Sequence, residues 1–493
     1  MDKIMTGLCL PQKWIRLSFV SPAVVFLFSL SRVFAQPLDS SSEHSSYQID
    51  FTQTQLSQHQ LNVISTSQGL MPLRQGEESY YVSITETIPI LNAKPFLTLT
   101  PVAAISNYDP AVVDISVRFS TDQIGWGTWS TVARNHELEP NDPRFIGEMV
   151  FVDSSYNYFQ YRITFNTSQP SMPFARVSNI RFDFFSPGST QPVNPEGLTG
   201  FSIDGMNGGC LCPLPVFATR SDWNCPDGDT PSCNTVETTS VSHLIVHHSA
   251  GINVSDNWGA VVLSIWNLHV NTNGWCDVGY NWIIDPNGMI YEGRGGGNNV
   301  KGAHFCGANS GTMGVCMLGN FENAEPTAAA LTSLTQLLAW KSCDVNIGPN
   351  SSSYHLSTGK TLMTISGHQD GCATLCPGDN LYNKLPLLRS NVNLAMEACE
   401  ANTSVEGFVY DTFHLFPNPN YGSFSLVWDT PIRKSSRVEI FNLLGEKVFV
   451  QETPIVSGNE QMDINTGNLP AGIYNLRFDT GETSISKSIQ ILR

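Results

Sequence analysis

The residues that could do chemistry lie far apart in this chain: His247, His368 and Cys376. Two imidazoles and a thiolate make a three-ligand zinc set. They leave the fourth tetrahedral position open, the arrangement of a catalytic rather than a structural zinc. His247 sits in Leu244-Ile245-Val246-His247-His248-Ser249, an apolar run that reads as a buried strand ending in histidine. The other two share Gly367-His368-Gln369-Asp370-Gly371-Cys372-Ala373-Thr374-Leu375-Cys376-Pro377-Gly378. Taken singly, each has a plainer reading: a satisfied core histidine, a loop histidine, half of a disulfide. Strand alternation turns His248 to the opposite face, where it packs or supports its neighbour.

The elements that must position these groups alternate in type. After the strand through Leu244–His248, Val261, Ile265, Trp266 and Leu268 form a helical face, with Ser255 or Asp256 as its cap. Tyr280–Ile284, the turn Pro286-Asn287-Gly288 and Met289–Tyr291 read as a hairpin. Gly314–Leu318 is a further strand. Thr327–Lys341, carrying Leu331, Leu334, Leu337, Leu338 and Trp340 behind Pro326, is a helix, and Thr361–Ser366 is the strand that delivers His368. Strands interleaved with helices predict a central α/β domain over 208–400, a mixed sheet with flanking helices.

The chain of 493 residues is long enough for about three domains, so the fold class expected is multidomain. Lys3, Lys13 and Arg16 before the apolar run Phe19–Leu30, with Val33-Phe34-Ala35 behind it, predict a cleaved signal peptide over 1–35. No segment is apolar for long enough to span a membrane. Gln36 to about Ser46 is Ser-rich and expected to be loose. Over 48–186, short alternating runs such as Val112–Ser120 and Tyr158–Phe165 predict an antiparallel β-sandwich, followed by a Pro/Gly/Ser-rich linker over 187–207. The formal charge of −17 argues against nucleic-acid partners, which need basic patches. Apart from Cys9, every cysteine falls between Cys210 and Cys399. With Cys376 set aside, ten remain, enough for up to five disulfides in an exported protein.

The stretch from Gly274-Trp275-Cys276-Asp277-Val278-Gly279-Tyr280-Asn281-Trp282 to Glu292-Gly293-Arg294-Gly295, with Gly302-Ala303-His304 and Gly314-Val315-Cys316-Met317-Leu318-Gly319-Asn320-Phe321, makes the reading specific. From Arg220-Ser221-Asp222-Trp223 to Cys376-Pro377-Gly378, the chain resembles peptidoglycan recognition proteins and the related zinc-dependent N-acetylmuramoyl-L-alanine amidases. The resemblance implies that His247, His368 and Cys376 hold one Zn2+ ion. It also implies that Tyr280 assists the reacting water and that Thr374 helps to stabilise the oxyanion. Arg294, His304 and Asn309 fall where relatives line the groove for glycan and stem peptide. Many relatives carry Trp after Gly-Arg-Gly at a position that distinguishes stem types, whereas this chain has Gly296-Gly297-Asn298-Asn299. Over 410–493, Leu415-Phe416-Pro417-Asn418-Pro419 and Leu469-Pro470-Ala471-Gly472-Ile473-Tyr474 resemble the C-terminal sorting domain of the type IX secretion system. That resemblance implies a small β-sandwich, the secretion machinery as a partner, and a place outside the outer membrane.

Two functions of different class fit these features. One is a secreted zinc amidase that cuts stem peptides from peptidoglycan. The other is a recognition module that binds peptidoglycan without catalysis. A pairing of Cys376 with Cys372 would remove the thiolate and with it the activity.

Overall fold

The computed structural model describes residues 42–52, 60–74, 77–88, 96–107, 112–138, 142, 144–166, 174–188, 190–194, 198, 212–230, 233–401, 414–427, 436–442, 446–453, 461–467, 469–479 and 484–492. The expected signal peptide lies outside the described residues.

The N-terminal region is built from two antiparallel sheets that share one core. Leu97–Ser106 pairs with Arg176–Ser186 at the centre of one sheet, and Val113–Ser120 with Tyr158–Phe165 at the centre of the other. Alternate residues of both pairs, among them Leu99, Phe182, Phe184, Ile115, Val117, Phe159 and Tyr161, meet in a single apolar cluster. Here the sequence expectation needs one correction. Glu43–Asp50 is a strand with strictly alternating burial, paired along its whole length with Arg176–Ser186, although its serines suggested a loose segment. Main-chain pairing to a long neighbour holds it in place of side-chain propensity.

The central region holds a five-stranded mixed sheet, in the order Ile290–Glu292, Trp282–Ile284, Thr312–Met317, His243–His248, Ile365–Gly367. The last four strands are parallel to one another, and the first closes an antiparallel hairpin. Every residue of His243–His248 and of Thr312–Met317 is buried, as expected of parallel strands covered on both faces. The helix Trp258–Asn267 is capped by Asn257, whose side chain accepts from Ala260 N–H at 3.1 Å; Ser255 and Asp256 lie just outside it. The helix Ala328–Asp344 is capped by Thr327 and runs three residues past the expected Lys341. The strand expected at Thr361–Ser366 is two strands. Lys360–Met363 pairs with Ser352–His355 in a separate ribbon, and only Ile365–Gly367 joins the main sheet. Thr364 divides them, its hydroxyl donating to Gly348 O at 2.6 Å.

Apolar contacts join the N-terminal and central regions. Phe185 and Phe151 pack with Trp258, Val261 and Trp266, and Leu138 and Ile146 pack with Leu268 and Trp275. The disulfides Cys212–Cys399, Cys233–Cys276 and Cys306–Cys372 all lie within the central region. Cys343 is also disulfide-bonded. Cys225 and Cys316, both expected in disulfides, are free and buried, as is Cys376. The C-terminal residues form sheets of three and four strands over a shared core that includes Phe424, Leu426, Ile440, Leu476 and Ile489. Among the described residues, no helix is long and apolar enough to cross a membrane.

Candidate active site

His247, His368 and Cys376 come together at the carboxyl ends of the parallel strands, where open α/β sheets place their sites. Their ligand atoms lie within 4.8 Å of one another. His247 is the penultimate residue of the strand His243–His248, and its Nδ1 stands 3.7 Å from Cys376 Sγ. His368 follows Ile365–Gly367 directly and opens the short helix His368–Gly371. The loop that returns to Cys376 is tied at several points. Gln369 N–H donates to Cys376 O at 2.9 Å, Cys376 N–H donates to Thr374 Oγ1 at 3.1 Å, and the Cys306–Cys372 bridge anchors its middle. That bridge excludes a pairing of Cys372 with Cys376.

The donor set fits a zinc ion. Both ring nitrogens of His368 are buried without a hydrogen-bond partner, which an apolar interior does not tolerate unless another ligand claims one. Burial first, and then the neighbouring histidines, push His247 and His368 well below the usual imidazole range, so both rings are neutral, the form that ligates. Burial also raises the Cys376 thiol, against the opposing pull of His136 and of the His248 N–H at 3.3 Å.

A chain of hydrogen bonds fixes the His247 ring. His247 Nε2 is 3.0 Å from His304 Nδ1, His304 Nε2 is 3.3 Å from Thr312 Oγ1, and the Thr312 hydroxyl donates to Asn309 O at 2.8 Å. Read from that last donor backwards, the network assigns the protons to His304 Nε2 and His247 Nε2, which leaves the His247 Nδ1 lone pair facing Cys376. Gly314 makes room for this arrangement, because a Cβ there would stand 2.5 Å from the His304 ring. His304, expected in a substrate groove, is therefore buried behind His247. Asn309 Oδ1 accepts from the N–H groups of His304 and Phe305 and so holds the turn that carries His304. Arg294 is half-buried, donating to Val278 O at 3.2 Å beside the Cys233–Cys276 bridge. His248 accepts from Phe321 N–H at 3.3 Å.

Tyr280 lies against His247, with ring centroids 5.2 Å apart, and its hydroxyl donates to Glu137. Glu137 also accepts from His269 Nε2, whose Nδ1 accepts from Gly279 N–H at 3.0 Å. Burial would raise the Glu137 carboxyl, but His269, His136 and Tyr280 hold it at about 2, so it is anionic. Its neighbour His136 reaches the same centre. The His136 ring lies 5.6 Å from that of His248 and 6.2 Å from that of His368, and it forms a second possible ligand group with His248 and Cys376. Sequence reasoning missed both residues. They belong to the N-terminal β region, and no motif marks them.

The N-acetylmuramoyl-L-alanine amidase family matches residues 237–379, and the secretion system C-terminal sorting domain matches residues 414–492. Peptidoglycan-recognition protein SC2 of Drosophila simulans is 33% identical over 173 residues, 34% of this chain and 84% of that relative. Peptidoglycan recognition protein 1 of Mus musculus is 33% identical over 177 residues, covering 35% of this chain and 88% of the relative. Among solved structures, Drosophila PGRP-LB is 27% identical with a TM-score of 0.29, over 34% of this chain and 91% of that one. Human PGRP-IBETAC in complex with glycosamyl muramyl pentapeptide is 28% identical with a TM-score of 0.28, over 34% and 94%.

Proposed function

The chain belongs to the peptidoglycan recognition protein family, and from that premise we propose that it is an exported zinc amidase that hydrolyses the bond between N-acetylmuramic acid and L-alanine. The sorting domain at its C-terminal end makes it a protein of the cell surface or the medium, and the type IX secretion machinery is the partner we assign to that domain. The observation that carries the reading is a free Cys376 thiol beside His247 and His368, with Cys372 bonded elsewhere.

Zinc held by these three residues supplies a Lewis acid that activates water and polarises the amide carbonyl. His304 keeps the His247 ring in its ligating orientation. Tyr280 Oη, its own proton donated to Glu137, accepts a hydrogen bond from the attacking water and orients it. Thr374 Oγ1 accepts one bond from Cys376 N–H and keeps its own proton to donate to the oxyanion. Arg294 is the charge we assign to a stem-peptide carboxylate.

Prolonged digestion of purified peptidoglycan, read by mass spectrometry, tests this. Stem peptides with a free L-alanine amine are expected, and they disappear with a chelator and with Cys376→Ala. The amidase reading fails if Cys376→Ala releases them undiminished, or if no zinc-loaded form of the chain releases any. Binding to peptidoglycan without release would leave a recognition module.

A further inference from the structure

An enzyme that cuts a polymer needs an open site, and this centre is closed. His247 and His368 are 0% exposed, and Tyr280 and Cys376 only 1%. The segment Asn135–Leu138 of the N-terminal β region lies against it, with the His136 ring 5.6 Å from that of His248 and 6.2 Å from that of His368, and Glu137 accepting from Tyr280. This segment is itself well held. Asn135 N–H donates to Ile146 O at 2.8 Å, Glu137 N–H donates to Asn135 Oδ1 at 2.9 Å, and Leu138 is packed with Ile146 against Leu268.

The placement of His136 is what a metal ligand requires. Its Nδ1 is 2.6 Å from Glu148 Oε1, so the carboxylate fixes that proton and turns the ring. This is the pairing with which proteins orient zinc-ligating imidazoles. Its Nε2 is buried and has no hydrogen-bond partner. One ring nitrogen of His136 is within 4.8 Å of Cys376 Sγ and of a His248 ring nitrogen, in a group that shares Cys376 with the His247–His368–Cys376 set. A histidine aimed in this way beside an incomplete three-ligand set would fill the one position that catalysis needs open. Glu137, next in sequence, takes the hydroxyl of Tyr280 and the ring N–H of His269 at the same time, so the aromatic group facing the metal is occupied as well.

We propose that His136 is a fourth protein ligand of the zinc centre, and that with Glu137 on Tyr280 and His269 it keeps the chain latent until the segment Asn135–Leu138 is displaced. This inference rests on the zinc reading above but not on the identity of the bond cleaved. In the latent state His136 would take the position that a small anion, water or a carbonyl oxygen needs. Displacement needs no covalent change, because among the described residues no disulfide joins the N-terminal region to the central one.

Cobalt(II) in place of zinc in the full exported chain gives a readout independent of activity. In the native chain the visible bands are expected to be insensitive to added azide. In His136→Ala they shift, and azide titrates them further. Zinc binding in this variant weakens by about tenfold or more, as for loss of a group that shapes a metal site. Peptidoglycan digestion by the zinc form of His136→Ala is expected to exceed that of the native chain at least tenfold. Glu148→Gln leaves His136 in place but loosens its orientation. Partial azide sensitivity is expected there, and this covers the case in which His136→Ala does not fold. Identical spectra and equal azide binding in the native chain and the variants would overturn the ligand assignment. A shift in the bands with equal digestion by both would overturn latency. If the bands shift and neither chain digests peptidoglycan, the amidase reading falls and the ligand assignment stands.

Discussion

The two walls around the centre are held by different physics. The central wall is permanent. It consists of parallel strands buried on both faces, a disulfide across the ligand loop, and Arg220 paired at 2.9 Å with Asp277 where neither side chain is exposed. The wall from the N-terminal region is reversible. Its contacts are apolar packing around Leu138 and Ile146, the carboxylate bonds of Glu137 and Glu148, and single bonds such as Arg144 Nη1 to Asn273 O at 3.0 Å. Rigidity is concentrated where His247, His368 and Cys376, from distant parts of the chain, meet. On the side that covers them, each bond can be remade after it is broken.

The largest effect expected separates the ligands from everything else. Cys376→Ala, or exhaustive chelation, should lower peptide release about a thousandfold, since the metal supplies several kcal/mol of transition-state stabilisation. A loss of under tenfold would mean that the central wall holds no working metal. Arg220→Met should cost about 3–5 kcal/mol in urea unfolding, because it strands the Asp277 charge in the interior; a cost below about 1 kcal/mol would show that this part of the wall is solvated. Replacing both Cys306 and Cys372 with serine should cost about 2–4 kcal/mol and raise hydrogen exchange over 367–378. Glu137→Gln sharpens the contrast from the other side. A loss of about 1–3 kcal/mol is expected, with faster exchange over 133–148 and none in the strand His243–His248. Exchange rising equally in both segments would erase the distinction between the walls. The smallest effect belongs to Thr374→Val, which removes the acceptor for Cys376 N–H and should cost about 1 kcal/mol of stability.

That His247, His368 and Cys376 meet was legible only through the family resemblance, which joins two local patterns: an apolar strand ending in histidine, and a Gly-His…Cys-Pro-Gly loop. The chain order of the elements was legible from such local patterns, with the Asn287-Gly288 hairpin turn the clearest signal. Two features were not readable. His304 looked like a groove residue, and only the tertiary approach of Gly314, at a distance no spacing reveals, makes it the support of His247. His136 and Glu137 carry no signal at all, because the groups they meet at the centre (His248 and Cys376 for one, His269 and Tyr280 for the other) lie more than a hundred residues onward, in a region with a different secondary structure. Thr361–Ser366 misled in a simpler way. Its residues favour one continuous strand, but the Thr364 hydroxyl bonds the backbone of the 348–351 turn and divides it.

The burial of Cys376 also bears on how long the protein lasts once exported. An oxidising exterior preserves the Cys306–Cys372 bridge, yet it attacks any free thiol that can ionise and meet an oxidant or another disulfide. Cys376 stands four residues from Cys372 in the same loop, within easy reach for exchange if the loop were open. Burial raises its pKa and excludes reagents, and its Sγ is engaged by the His248 N–H. The cover over the centre therefore also guards the sulfur against oxidation, and the thiol is still reduced when a metal ion or a substrate first reaches it.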